Sequence, residues 1–491
     1  MNHTSHKLSV VEKIGYSLGD LAANLIFQTL VTFLAYFYTD VYQIPAAAAS
    51  FIMTFFGFVG AFANVFVGIL ADRTNTRWGK FRPWILWSAV PFGVISLLAF
   101  STPDLGMNGK IAYASITYFL LVIVYSANNL PYSALSGVLT GDMKERNSLS
   151  SYRFVSVMIA QFIIQALLLP LALSLGHGDK AVGFEKVMLF FAIIGTLCFF
   201  ITFLTTRERI QPSKEQKSPI WTDLRDLSKN KPWVVMLVLT ILVFITLVLK
   251  GNMYIYYFVN YLDEPALSHF LEKIGFNGFI GGLNSFVTGL GLGEFEWPKD
   301  APTSANSLFN ASGIVFMILG IVFSKPLADR YGKRNIFGIF LALSAICLVL
   351  FNFYSPTAIE AVFITQIAHG FLYGVTIPIL WAMIADVADY SEWKNNRRAT
   401  AIIFSAMVFG LKIGISIGGG LAAYILSASH YVAGASAQTV ETVQNIKLSV
   451  SVFPGLIFLI GASALFLYEI NKKMEVSIEQ DLKQRREKPI A

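Results

Sequence analysis

Twelve apolar runs, each about 20 residues long, recur from one end of this chain to the other, and little else in the sequence constrains the fold as tightly. They lie near 16–39, 46–70, 83–101, 111–139, 149–174 and 186–206, then near 232–260, 305–326, 336–354, 358–385, 399–427 and 448–470. Hydrocarbon offers backbone N–H and C=O groups no partners, so segments of this kind must be helices that satisfy themselves. Only 14% of the 491 residues are charged and 55% are hydrophobic, where a soluble domain carries roughly a quarter charged residues. A soluble core does not repeat such runs from end to end. The expected fold class is an all-α membrane protein with twelve transmembrane helices.

The charges decide orientation. Between the runs, 27 Lys and Arg fall on the side that carries both termini, and only Lys110, Lys180, Lys186, Lys273, Lys299 and Lys447 fall on the other. Positive residues accumulate on the cytoplasmic side, so both termini are expected there, in a multi-pass protein of the bacterial inner membrane. The net charge of +7 is scattered through these loops and forms no basic face, which excludes nucleic acid as a partner. The first twenty residues lack a signal-cleavage pattern, so the first run is expected to stay as a helix. Cys198 and Cys347 sit singly in apolar runs, and His3, His6, His177, His269, His369 and His430 have no ligand spacing. No disulfide framework, metal site, cofactor or nucleophile–base constellation follows, and the chain does not read as an enzyme.

The runs divide six and six around a charged stretch. The expected domains are an N-terminal bundle, 1–206; a cytoplasmic linker, 207–231; a C-terminal bundle, 232–470, with an extracytoplasmic insertion at 261–304; and a tail, 471–491. Within the insertion, Phe270–Leu292 is Gly-rich and moderately apolar, suited either to the membrane surface or to an exposed lid. The halves echo each other. Asp72-Arg73 and then Arg77-Trp78-Gly79-Lys80 follow the second run, while Asp329-Arg330-Tyr331-Gly332-Lys333 follow the eighth. Leu130-Pro131 in the fourth run is matched by Ile377-Pro378 in the tenth. Repeated halves suit alternating access, in which one bundle rocks against the other about a central site. Asp72, Arg73, Arg77, Asp329 and Arg330 are then gating candidates, with the two aspartates expected to pair with Arg side chains across neighbouring helices. This arrangement resembles the major facilitator superfamily over essentially the whole chain, which implies its fold of two six-helix bundles.

Ionisable side chains cost about 2.5–3.5 kcal/mol each at the centre of a span on insertion scales, so each marks a candidate site. Asp20 lies in the first run, Arg153 in the fifth, Lys250 in the seventh and Lys412 in the eleventh. Asp20 and Lys412 come from opposite halves, and a central cavity is expected to bring them together as counter-charges. Asn129 beside Pro131 and Trp381 after Pro378 are preferred among the neutral groups, because proline locally disrupts the helix. Aromatic faces with planar polar groups suit the C–H surface and the hydroxyls of a sugar ring.

The run Arg77-Trp78-Gly79-Lys80-Phe81-Arg82-Pro83-Trp84, the start Gly15-Tyr16-Ser17-Leu18-Gly19-Asp20 and Tyr38-Thr39-Asp40-Val41 narrow the likeness. With them go Asn129-Leu130-Pro131-Tyr132, Ala385-Asp386-Val387-Ala388-Asp389-Tyr390-Ser391-Glu392 and Arg398-Ala399-Thr400-Ala401-Ile402-Ile403-Phe404-Ser405. These resemble the glycoside–pentoside–hexuronide:cation symporter family, in its melibiose-permease-like branch. The resemblance implies uptake of a glycoside, pentoside or hexuronide on a cation gradient. It also implies that Asp20 and Arg153 bind sugar and that Lys412 lies near both sugar and cation.

One departure bears on coupling. The family's sodium-binding carboxylates correspond to Gly60, Asn64 and Asn129, and all three are missing. A dehydrated Na⁺ needs hard, preferably anionic, oxygen ligands. The expectation is therefore a sugar transporter without a carboxylate Na⁺ site, either coupled to H⁺ through Asp20 and Lys412 or uncoupled. The alternative is a carrier of an anionic sugar acid such as a hexuronide, or of another amphiphile, because Lys412 and Arg153 have lost acidic neighbours. Expected partners are a small sugar or glycoside and the lipid bilayer, with the chain acting as a monomer.

Overall fold

The computed structural model describes residues 7–140, 143–209, 227, 229–289, 297, 300–395, 400–435 and 437–487. Among them, 12 helices are long and apolar enough to cross a membrane: spans 1 to 6 are Val10–Val41, Ala46–Gly68, Arg82–Ala99, Met107–Leu139, Ser148–Leu175 and Lys180–Thr205. Spans 7 to 12 are Lys231–Asn260, Ala301–Tyr331, Lys333–Phe353, Ile359–Lys394, Ala406–Ala428 and Val440–Leu467. Polar side chains set several starts: Ser9, Asp179, Asn230, Asp300 and Thr439 each accept from a backbone N–H in the first turn that follows.

In the first half, span 1 packs on spans 5 and 6, span 3 on 4 and 6, and span 2 on 4; in the second, span 8 packs on 10, span 9 on 10 and 12, and span 7 on 11 and 12. Spans 2 and 11, 1 and 7, and 5 and 8 meet across the halves. Glycines allow close helix approaches. A Cβ on Gly414 or Gly418 would stand 2.7 Å from the carbonyl oxygen of Ile241 or Ile245, so span 11 lies against the span 7 backbone. Phe51, Phe55, Phe62 and Phe66 remain exposed along span 2. On a helix in lipid such apolar exposure is the rule.

Among the described residues two spans carry a π-helical turn, Phe37–Val41 at the end of span 1 and Ile163–Leu167 within span 5. Such turns often mark functional positions, because they release a backbone carbonyl from its helical bond. We call the end of the bundles that bears the termini the terminal face, and the opposite end the far face.

The insertion at 261–304 is largely helical where described. Glu264–Lys273 buries Leu267 and Leu271 and packs Phe270 at a tilt on Phe363 of span 10, at 4.6 Å between centroids. Phe276–Gly289 follows, with Phe279 and Phe286 exposed. Most of the linker, 210–226 and 228, lies outside the described residues. Beyond span 12 the tail folds as a helix, Lys472–Glu487, which buries Ile478 and Leu482 against the second half.

Candidate functional site

Tyr16, Asp20 and Asn24 lie four residues apart on one face of span 1. Arg153 of span 5 donates from Nε to Asp20 Oδ2 at 2.7 Å. Its guanidinium lies over two aromatic faces, 5.7 Å from the Tyr16 centroid and 5.3 Å from that of Tyr132. Those rings stack at 4.6 Å, and each hydroxyl donates to the other residue's carbonyl oxygen, at 2.9 and 2.7 Å. A Cβ on Gly19 would come within 2.6 Å of the Tyr132 ring, so the glycine permits the contact of spans 1 and 4. Asn24 donates to the Asp20 carbonyl oxygen at 2.9 Å. The Arg153 side chain keeps 27% of its surface, and its two terminal nitrogens have no hydrogen-bond partner among the described residues. The result is a neutralised, aromatic-walled pair with unused N–H donors.

Lys412 does not complete this pair, which corrects the expected contact with Asp20. It reaches from span 11 into the other half, where it donates to Ser126 Oγ at 3.3 Å and lies 5.5 Å from the Tyr125 centroid. The reason is proximity: spans 1 and 5 pack directly on each other, so the planar fork of Arg153 meets the carboxylate first. Asn129 follows Tyr125 by four residues and precedes Tyr132 by three, which places it on the face shared by both clusters. It is half-buried and has no hydrogen-bond partner among the described residues, whereas its neighbour Asn128 is buried and donates to Ser88 Oγ of span 3 at 2.8 Å. Trp381 is 38% exposed and enters no hydrogen bond or ring contact with these residues. Sequence reasoning passed over Tyr125 and Ser126. Their spacing from Asn129 and Tyr132 was the available signal.

The positions of the missing carboxylates differ in character. At Gly60 a side chain would run into Val122 of span 4, so this stretch of span 2 is packed shut. Asn64 is half-buried, without a hydrogen-bond partner among the described residues.

The halves are tied together in their far half. Asn252 of span 7 accepts from the Ala35 N–H at 3.1 Å and donates to the Val31 carbonyl oxygen at 2.6 Å. The Thr39 and Tyr256 hydroxyls share a hydrogen bond of 2.5 Å, and Tyr431 donates to Asp40 Oδ1 at 2.6 Å. Both π-helical turns take part, the first through Thr39 and Asp40, the second through the Gln165 carbonyl oxygen, which accepts from Asn310 of span 8 at 3.2 Å. Ser50 donates to the Gly420 carbonyl oxygen at 2.8 Å. Sequence reading missed this layer, because a lone Asn252 or Tyr431 reveals nothing about the helix opposite.

On the terminal face, among the described residues, every ion pair stays within one half. Arg209 forks onto Glu12 at 2.6 and 2.9 Å, and that bond raises the already high proton affinity of the guanidinium. Lys13 pairs with Glu145 at 2.9 Å. Glu208 accepts from the N–H groups of Lys80, Phe81 and Arg82 at 2.7–2.9 Å, which caps the start of span 3. The gating expectation needs correction here. Asp329 is exposed and forms no ion pair among the described residues; its carbonyl oxygen accepts from Lys472 at 2.8 Å. The chain turns at Gly332, whose φ is +88°, and carries Lys333 onto Asp386 of span 10 at 2.5 Å, with Glu475 of the tail helix at 3.6 Å. Burial pushes the Glu475 carboxyl up from its usual range, with Lys333 opposing and Asp386 adding to the shift. Arg330 and Arg77 lie over the adjacent rings of Tyr331 and Trp78, at 5.2 and 4.7 Å. Arg73 is exposed, and the Asp72 side chain lies outside the described residues.

Comparison with known proteins agrees with this architecture. Residues 15–288 and 302–472 match the family described as MFS/sugar transport protein. The chain is 33% identical over 458 residues to the inner membrane symporter YicJ of Escherichia coli (strain K12), covering 93% of this chain and 91% of that one. It is likewise 33% identical to the isoprimeverose transporter of Lactiplantibacillus pentosus, over 96% of this chain and 91% of the relative. A crystal structure of a bacterial homolog of the human lysosomal transporter Spinster shares the fold, with a TM-score of 0.59 at 13% identity, covering 96% of this chain and 99% of that one. With twelve helices that divide six and six and a family match over most of its length, the chain belongs to the MFS sugar-transport family, within the glycoside–pentoside–hexuronide symporters of the major facilitator superfamily.

Proposed function

We propose that this protein carries a neutral sugar or glycoside across the bacterial inner membrane by alternating access, with residues 1–206 and 232–470 as the two moving bodies and both termini in the cytoplasm. The observation that carries the reading is the Asp20–Arg153 pair at 2.7 Å over the Tyr16 and Tyr132 rings. A net-neutral pair with spare N–H donors suits hydroxyls, and aromatic faces suit a sugar's C–H surface. Asn129 is assigned to the same site, Lys412 to its edge and Trp381 to its span 10 side. The names of relatives at 33% identity, a symporter and an isoprimeverose carrier, point the same way. With cross-half bonds gathered in the far half, the conformation described is the one facing the cytoplasm.

Coupling through a carboxylate Na⁺ site is set aside, because Gly60 is filled by Val122 and neither Asn64 nor Asn129 bears a charge. Counterflow of labelled sugar in proteoliposomes tests the reading, with neutral glycosides and their uronates compared in Na⁺ and in K⁺ media. Exchange of a neutral glycoside, indifferent to Na⁺, is expected. Exchange of uronates alone would favour the anionic alternative, in which Lys412 supplies the counter-charge, and a strong Na⁺ requirement would overturn the coupling statement.

A further inference from the structure

A second ionisable pair lies inside the C-terminal half, apart from the sugar site. Lys250 of span 7 retains 8% of its surface and His369 of span 10 retains 2%. Lys250 Nζ is hydrogen-bonded to His369 Nε2. The other ring nitrogen, Nδ1, lies 2.9 Å from Ser344 Oγ and 3.1 Å from the Ser344 carbonyl oxygen, on span 9. That carbonyl can only accept, so Nδ1 carries the ring proton and Nε2 faces the amine as an acceptor.

The groups around the amine come from spans 7 to 10. Span 7 itself supplies Tyr254, whose centroid is 5.8 Å from Nζ, and span 10 supplies Tyr373, also at 5.8 Å. Tyr373 stacks on His369 and on Phe458 of span 12. Span 8 contributes Phe309, which packs on Tyr254. Span 9 contributes the Ser344 groups. Among the described residues no carboxylate pairs with Lys250 or His369, and no second cation touches them.

This arrangement allows two charge states and disfavours a third. With Lys250 as an ammonium donating to neutral His369, the pair bears one positive charge, held by the imidazole lone pair and by two ring faces. With the proton gone, the neutral amine keeps the hydrogen bond and the charge is zero. Protonating both groups would place two cations in contact without an anion, in a medium that screens poorly. One proton, gained or lost at Lys250 Nζ while His369 keeps the hydrogen bond, is therefore the natural ligand of the site.

The location ties that proton to the gate. Asn252 and Tyr256, two and six residues along span 7, make the far-half bonds to Val31, Ala35 and Thr39 of span 1. A change of charge at Lys250 acts on the helical segment that holds the halves together.

We infer that the Lys250–His369 pair is the site of the coupling proton, which makes this carrier a sugar–proton symporter whose cation site lies within the C-terminal bundle rather than on spans 2 and 4. The inference rests on the transport reading above. It also replaces the assignment of the proton to Asp20, which Arg153 already neutralises.

The test uses full-length protein in proteoliposomes with a trapped pH indicator, and follows labelled-sugar counterflow and sugar-driven proton movement in parallel. The wild type should show both. Lys250→Met and His369→Gln should retain counterflow within about twofold while proton movement falls roughly tenfold or more, the separation expected when the site binds only the driving ion. Lys250→Arg keeps a cation in the pocket that does not release its proton, so it covers the case in which Lys250→Met fails to fold, and it too should exchange sugar without moving protons. Sugar-driven proton movement that persists in Lys250→Arg or in His369→Gln overturns the inference, as does a wild type that exchanges sugar and moves no protons. A wild type that exchanges no sugar strikes at the transport reading instead.

Discussion

Asp20 Oδ2 and Arg153 Nε meet at 2.7 Å across spans 1 and 5, so this buried carboxylate of span 1 is already neutralised within its own half. That pairing leaves Lys412 to Ser126 and Tyr125, and separates the cation that crosses between the halves from the Asp20–Arg153 pair.

Asp20→Asn and Arg153→Met are each expected to lower sugar counterflow about tenfold or more, at least ~1.4 kcal/mol of lost binding. The double variant should be little worse than either single one, because the two groups act as a unit. Labelled-sugar exchange in proteoliposomes measures all three. Additive losses would show that the pair is not the shared site.

Tyr256→Phe and Tyr431→Phe each delete one hydroxyl from the far-half layer, where Tyr256 bonds Thr39 and Tyr431 bonds Asp40. A hydrogen bond is worth about 0.5–1.5 kcal/mol net, so the double variant should shift the balance toward far-face opening by about tenfold. In a background free of Cys198 and Cys347, a cysteine introduced by Ser126→Cys reports this through its rate of alkylation by an impermeant maleimide added from the far face. An unchanged rate would mean that these bonds do not hold the gate.

Gly60→Asp restores a family-type carboxylate but drives it into Val122. Overpacking of this kind costs about 1–3 kcal/mol. The expected result is a thermal unfolding midpoint lowered by a few degrees with no gain of Na⁺ dependence. A variant of undiminished stability whose counterflow now requires Na⁺ would show that the site needs only its charge.

Glu475 gives a pH prediction outside the membrane-spanning segments. Its folded-state carboxyl is raised by burial, so the folded form binds the proton more tightly than the unfolded form. The stability contributed by protonation is complete below the unfolded carboxylate range and is lost as pH rises through the raised folded value. Glu475→Gln should therefore match the wild type in mildly acidic buffer and equal or exceed it at neutral pH, because Lys333 keeps its shorter contact with Asp386. Unfolding midpoints recorded across that pH range check it. A variant less stable at neutral pH would make the Lys333–Glu475 contact the dominant one.

Much of the site was legible in part and for identifiable reasons. Asp20, Arg153 and Lys412 stand out in sequence because charge amid apolar residues is costly wherever it falls. Their pairing did not, since the choice between Arg153 and Lys412 as partner to Asp20 depends on which helices touch. The duplicated Asp-Arg after spans 2 and 8 drew attention to the right loops, but at the second it pointed to Asp329, whereas the ion pair there belongs to Lys333, Asp386 and Glu475. Asn252, Tyr431 and the two π-helical turns gave no comparable signal, for a neutral polar residue in a span is compatible with packing, capping or gating alike.

The sequence by itself determined that this chain enters a membrane as twelve helices in two related halves, and which ionisable groups it buries there. Those properties follow from local hydrophobicity and charge, which act along the chain whatever its folded shape. Only the tertiary structure decided that Asp20 takes Arg153, that Lys250 takes His369, and that the halves close through Thr39, Asp40, Tyr256 and Tyr431. Hydrogen bonds and ion pairs act over a few ångströms between residues far apart in the chain, so their partners are fixed by how helices pack and not by what lies beside them in sequence.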